Sequence, residues 1–204
     1  MQKSVEYLGY QLTTNNIGPQ PKKIEAMKGV LLTQNSKQLK KFLGMINFYR
    51  DVFKRRSHIL SPLNDLAAAT AKQKQGEKKK PHHVKKVPFK MLKVHLDAFK
   101  EAKEMIMTEA KLAFPDFSKP FHLYTDASDI QLGATLVQDG KPLGFYTRKP
   151  NKVQHSYTVG EKELLGIVEG LKAFAGVIRG QDLTVHTDHL NLLYKQQATK
   201  STND

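Results

Sequence analysis

Apolar and polar positions change period several times along the chain, and each change predicts a new element. Val5 and Tyr7 alternate on one face while Leu8, Tyr10 and Leu12 continue on the other, which predicts an edge strand or hairpin arm with a bulge beside Gly9. The cluster TTNNIGPQP predicts a turn. Pro21 then starts a short helix over KKIEAMKGVL, because the first helical position has no use for an N–H. Asn35 or Ser36 can cap the next helix, in which Leu39, Phe42, Leu43 and Ile46 recur at i, i+3, i+4 and i+7, with Phe53 extending the stripe. Ser61 followed by Pro62 predicts a further helix over PLNDLAAA. The pattern then dissolves into AKQKQGEKKKPHHVKKVPFK, where lysines dominate and a linker is expected.

Helical spacing returns with Leu92, Leu96, Phe99, Ile106 and Ala110 and ends before the prolines of PDFSKP. FHLYTDAS, QLGATLVQ and KPLGFYTR predict three strands in a meander, the last two joined by Asp139-Gly140, a favoured tight-hairpin pair. YTVGEKELLGIVEGLKAF has helical period, with an apolar stripe centred on Leu171 and flanked by Leu164, Ile167, Val168 and Ile178. DLTVHTD alternates as a strand, and HLNLLY opens one more helix. No internal repeat is present.

Two small units fit a length of 204 residues better than one large one. Charge changes the picture most. The 33 Lys and Arg against 19 Asp and Glu leave +14 and a pI near 9.8, which points to a polyanionic partner. No run approaches the roughly 18 consecutive apolar residues of a spanning helix, and Trp is absent, so a membrane is not the expected partner. Without Cys there is neither a disulfide framework nor a thiolate metal site, and the start MQKSVEYLGYQL has no secretory layout. An intracellular setting, cytoplasm or nucleus, is expected. Any metal would sit on oxygen or imidazole.

Asp126 closes FHLYT and Asp188 closes LTVHT. Each is a lone acid at the tip of a mostly apolar or β-branched strand, a poor place for a solvated charge unless a cation meets it. Open α/β sheets gather such groups at the carboxyl ends of central strands. Hydrolysing a phosphodiester without a side-chain nucleophile needs metal ions, typically a pair about 4 Å apart, on hard oxygen ligands. The third ligand must come from the intervening helix, where Glu161 and Glu163 flank the apolar stripe on opposite sides. Gly166 and Gly170 lie beside Glu163 on the wheel, and two helical glycines, each costing roughly 1 kcal/mol against Ala, imply close approach by nucleic acid or another helix. Geometry alone leaves both glutamates open. His186 and His189 lack further nitrogen or sulfur ligands for zinc, and no glycine-rich phosphate loop follows the first strand.

TDAS at Asp126, EKELLGIVEGLKAF at Glu163 and VHTDHLNLL at Asp188 resemble the RNase H domain of gypsy-like LTR-retrotransposon polyproteins. In that family the matching aspartate, helix glutamate and second aspartate bind Mg²⁺, with Mn²⁺ as a substitute, for cleaving the RNA strand of an RNA/DNA hybrid. The resemblance thus implies that Asp126, Glu163 and Asp188 are catalytic and metal-binding, and it selects Glu163 over Glu161. Asp129 also matches a family position, but a turn-forming role is expected for it and it is left out of the catalytic set. The family pattern further implies a last strand, closing helices and a fourth carboxylate, before which this sequence stops at Asp204. A truncated domain is therefore expected, with a catalytically inactive nucleic-acid-binding remnant as the alternative.

In the amino-terminal half, Lys40, Gly44 and Phe48 recur every four residues opposite Leu39, Phe42 and Ile46, and Lys37, Lys41 and Arg55 fall on the same side. A solvent-side Phe beside a Gly and a row of cations suits a minor groove; the bland alternative is a Phe covered by another helix. YLGYQL with QLKKFLGMINFYRDVFKRRSHILSPL resembles the end of the palm and the thumb of a reverse transcriptase from the same elements. That resemblance implies nucleic-acid contacts from Leu8, Gly9 and Tyr10 and from Lys37, Lys40, Lys41, Gly44 and Phe48. No YxDD-type aspartate pair occurs, so polymerisation is not expected. The expected fold class is α+β or α/β: a small helical thumb-like unit over 1–70, a Lys-rich linker over 71–90, and an incomplete RNase H-like mixed sheet with flanking helices over 91–204. The remainder of a Pol polyprotein is an expected partner.

Overall fold

The computed structural model describes residues 4–77, 89–107, 111–189 and 192. Strands β1 (Ser4–Tyr7), β2 (Tyr10–Thr13) and β3 (Asn16–Pro19) form an antiparallel meander, with β4 (Leu112–Ala113) added at the edge of β3. Helices α1 (Pro21–Lys28), α2 (Ser36–Phe48), α3 (Arg56–Glu77) and α4 (Lys93–Met107) pack together beside it. A second sheet follows, of β5 (Phe121–Ala127), β6 (Leu132–Gln138), β7 (Lys141–Arg148) and β8 (Leu183–His186), in the order β7-β6-β5-β8. β5, β6 and β7 are the expected antiparallel meander, β8 joins β5 in parallel, and α5 (Val159–Ile178) lies across β5 and β6. The fold is thus mixed α and β, as expected.

The bulge expected beside Gly9 is instead a two-residue hairpin turn. Leu8 and Gly9 both adopt positive φ, 47° and 85°, the pair that a type I′ turn requires. TTNNIGPQP supplies strand β3 as well as a turn. The same turn chemistry holds at Asp139 and Gly140, with φ of 51° and 72°, as expected from the sequence.

The amino-terminal core is the larger one. Leu39, Phe42, Leu43 and Ile46 of α2 are all buried in it with Phe53, and Asn35 caps the helix by accepting the Gln38 N–H at 2.9 Å. α3 starts at Arg56 rather than at Pro62 and carries Pro62 within it. Burial of Ile59, Leu60, Leu63 and Ala67 on one face outweighs the roughly 3 kcal/mol that an interior Pro costs. The helix runs to Glu77, into the stretch expected to be a linker, of which 78–88 lie outside the described residues. α4 buries Ala98, Phe99, Ala102 and Ile106, while Leu92 and Leu96, read as part of its stripe, are exposed; Ala110 is outside the described residues. Both α4 and Leu112 of β4 contribute to the amino-terminal core, so packing crosses the sequence division at 90/91. Among the described residues no helix is long and apolar enough to cross a membrane.

Candidate active site and nucleic-acid groove

Register fixes the two aspartates. β5 and β8 pair in parallel with Phe121 opposite Leu183 and Tyr124 opposite His186. Asp126 and Asp188 each follow two residues later, at the same ends of neighbouring strands. Both are exposed.

α5 supplies the glutamate, through an orientation that hydrophobicity did not reveal. Its buried residues are Lys162, Glu163, Gly166, Gly170 and Ile178, whereas Leu164 and Val168 of the expected stripe are 51% and 37% exposed. The glycines do mark a close approach, but to the chain's own sheet. A β-carbon on Gly166 would stand 3.6 Å from the Ala127 Cβ, and one on Gly170 only 2.8 Å from the Ala134 Cβ. The Gly166 distance is ordinary van der Waals contact, but only a helix without a side chain at 170 can settle this low on the sheet. That contact carries Glu163 down to the end of β5, where its Oε1 accepts the Ala127 N–H at 3.3 Å.

Glu163 is 4% exposed, and its Oε2 is buried without a hydrogen-bond partner. Burial raises its pKa above the ordinary carboxylate value, and the negative charges of Asp188 and Asp126 raise it further against the opposing Ala127 N–H. Glu161 has a different task. It closes a capping box with Thr158, whose N–H it accepts at 2.8 Å, and this contact holds its carboxyl below the ordinary range. Geometry therefore separates the two glutamates that the helical wheel left open.

The three acids share one electrostatic neighbourhood without forming a closed cage: among the described residues no group of three or more Asp, Glu, His or Cys is arranged to hold a metal ion as it stands. The donor set nevertheless suits a hard divalent cation, being all oxygen and including one buried oxygen with no partner.

Sequence reasoning missed two features of this site. Asp129, expected to form a turn, pairs with the largely buried Lys162 at 2.6 Å, tying the β5–β6 loop to the first turns of α5. His186 stacks on Tyr124 with ring centroids 4.3 Å apart and planes 8° from parallel, and its Nε2 lies 3.1 Å from the Nδ1 of His122. The alternation of His122, Tyr124 and Asp126 along β5 was the available signal. It places all three on the sheet face away from α5.

In the amino-terminal unit the structure brings Leu8, Gly9, Lys41, Gly44 and Phe48 together along one groove of about 730 Å³. Gly9 suits the positive φ of 85° there, and a β-carbon would also press on the edge of the exposed Phe48 ring at 2.8 Å; Tyr49 Oη donates to the Gly9 carbonyl at 2.6 Å. Tyr10 stacks on Phe48, which no helix covers among the described residues and which stays 55% exposed. Lys37 and Lys40 are exposed but do not line the groove.

Residues 92–185 match the model of the RNase H-like domain found in reverse transcriptase. Over that range the chain is similar to that family. The chain is also 34% identical over 198 residues to the retrovirus-related Pol polyprotein from transposon opus, and 31% identical over 194 residues to that from transposon gypsy, both of Drosophila melanogaster. These alignments take in 93% and 94% of this chain but 19% and 18% of the relatives, so it spans under a fifth of their length. A foamy viral protease-reverse transcriptase in complex with an RNA/DNA hybrid superposes over all of this chain and 26% of its own, with a TM-score of 0.76 at 18% identity. The double-stranded DNA complex gives 0.77, over 97% of this chain and 39% of its own. The matched range takes in β5 with Asp126 and α5 with Glu163 and ends three residues before Asp188, whereas α1, α2 and α3 precede it.

Proposed function

We propose that this chain is the RNase H-type segment of a retrotransposon Pol polyprotein and cleaves the RNA strand of RNA/DNA hybrids, with Asp126, Glu163 and Asp188 as its catalytic residues. The observation that carries this reading is the buried, partnerless Oε2 of Glu163, set in the field of two further acids. Such an arrangement is costly for the apo protein and favourable once a cation enters. Mg²⁺ or Mn²⁺ held there would supply activation of water and neutralisation of the leaving oxygen. Asp126 and Asp188 approach it from adjacent strand ends, and Glu163 from the helix that the glycines seat. The groove beside Phe48 and Gly44 takes the duplex, and the remainder of the polyprotein is the natural partner.

A labelled RNA/DNA hybrid with Mg²⁺ or Mn²⁺ tests the reading. Wild type should cut the RNA strand, and Asp126→Asn and Glu163→Gln should lose about 10²-fold or more of the rate, as expected when a group stabilising the transition state is removed. Cleavage surviving unchanged in both variants rejects the site.

A second reading, a nucleic-acid-binding remnant without turnover, is favoured by the lack of a preassembled ligand cluster among the described residues and by the +14 charge. It predicts salt-dependent hybrid binding with no cleavage in either metal.

A further inference from the structure

The segment between α2 and α3 carries Lys54 and Arg55, followed by Arg56 at the start of α3, a basic run that neither the acids nor the α2 groove absorbs. Its two ends are stapled to the second sheet. The Asp51 carbonyl accepts the Phe145 N–H at 2.9 Å, the Ser57 hydroxyl bonds the Thr147 hydroxyl at 2.9 Å, and the His58 N–H donates to Gln131 Oε1 at 3.0 Å. Between these staples Arg55 adopts φ of +56°, a left-handed conformation that Arg rarely takes and that persists only when the surroundings impose it. Lys54 and Arg55 are exposed, with no ion-pair partner among the described residues. They form one wall of a cleft of about 320 Å³ whose opposite side includes Tyr124 and Asp126, with Thr135 and Thr147 between. Two unpaired cations are thus fixed by the amino-terminal unit across an open, hydroxyl-lined sheet face from a proposed catalytic acid.

We propose that Lys54 and Arg55 are positioning residues, gripping successive backbone phosphates of the strand presented to Asp126. The proposal rests on the nuclease reading for its purpose but not for its measurement, because binding is read without metal. Fluorescence anisotropy of the full chain with a labelled RNA/DNA hybrid, across a salt series, compares wild type with Lys54→Ala/Arg55→Asn; asparagine tolerates the left-handed backbone at 55. The double variant should bind more weakly, and its slope of log K against log salt should be shallower by about two, near one for each phosphate no longer gripped. Lys54→Arg/Arg55→Lys should restore both. Lys93→Ala/Lys100→Ala on α4 removes the same charge elsewhere and should leave the slope near wild type. An unchanged slope in the first variant, or an equal loss in the α4 variant, overturns the proposal. Wild-type binding without cleavage would instead reject the nuclease reading and leave the grip standing.

Discussion

A β-carbon built on Gly170 falls 2.8 Å from the Ala134 Cβ, and no flexible side-chain end is there to yield. Gly170→Ala therefore sets about 1 kcal/mol of helix propensity against roughly 1–3 kcal/mol of overpacking, and overpacking wins. The melting temperature should fall, by about 2–4 °C for each kcal/mol lost in a chain of this size. Hybrid cleavage should fall with it, since lifting α5 withdraws Glu163. Gly176, six residues along the same helix, has nothing within 4 Å of its added β-carbon, so Gly176→Ala should raise the melting temperature. Equal responses at the two positions would mean that α5 does not seat on the sheet through Gly170.

This contact also explains what the sequence hid. On α2 the apolar stripe and the buried face coincide, because Leu39, Phe42 and Ile46 meet other helices that accept bulky side chains. On α5 they diverge. A helix lying closely on a sheet turns its smallest residues inward, so Gly166 and Gly170 displace Leu164 and Val168 from the interface. The acids at 126 and 188 were legible because strand ends are local features, and their juxtaposition follows from one parallel register. The Lys162–Asp129 pair and the stapled Lys54-Arg55 segment were not, because each depends on tertiary contacts between elements far apart in sequence.

Glu163 makes stability depend on pH in an unusual direction. Its folded-state pKa lies above the unfolded value, so its contribution is fully present below about pH 4.3 and is lost as pH rises through the folded value. Without metal, Glu163→Gln should thus melt higher than wild type at pH 7, with the gain vanishing at acid pH. Added Mg²⁺ should reverse the order by stabilising wild type more. Thermal melts with and without Mg²⁺ check this; a glutamine variant equally stabilised at every pH would show that ionisation of Glu163 is not the cause.

Asp129 behaves oppositely. The hydrogen bond and charge of Lys162 hold its carboxyl below the ordinary value, so the stability it adds is present above about pH 3.9 and fades as pH falls through the folded value. Asp129→Asn should melt lower than wild type at pH 7, and the two curves should converge in strong acid. Lys162→Met, which removes the largely buried ammonium and keeps the apolar stem, should tolerate Asp129→Asn with no further loss. Additive losses in the double variant would mean that the two side chains act separately.

Gly44 separates a structural glycine from a functional one. It lies inside α2 on the exposed face, nothing stands within 4 Å of an added β-carbon, and it lines the groove with Phe48 and Lys41. Nothing in the fold requires a glycine here, and Ala should stabilise the helix by about 0.5–1 kcal/mol. A duplex seated against the helix backbone would nevertheless meet the new methyl, and larger side chains more so. Gly44→Ala and Gly44→Leu should therefore hold or raise the melting temperature while weakening hybrid binding in that order. Anisotropy titrations beside thermal melts make the comparison. If both variants gain stability and bind as wild type, the nucleic acid does not approach α2 at this groove, and the exposed Phe48 ring needs another explanation.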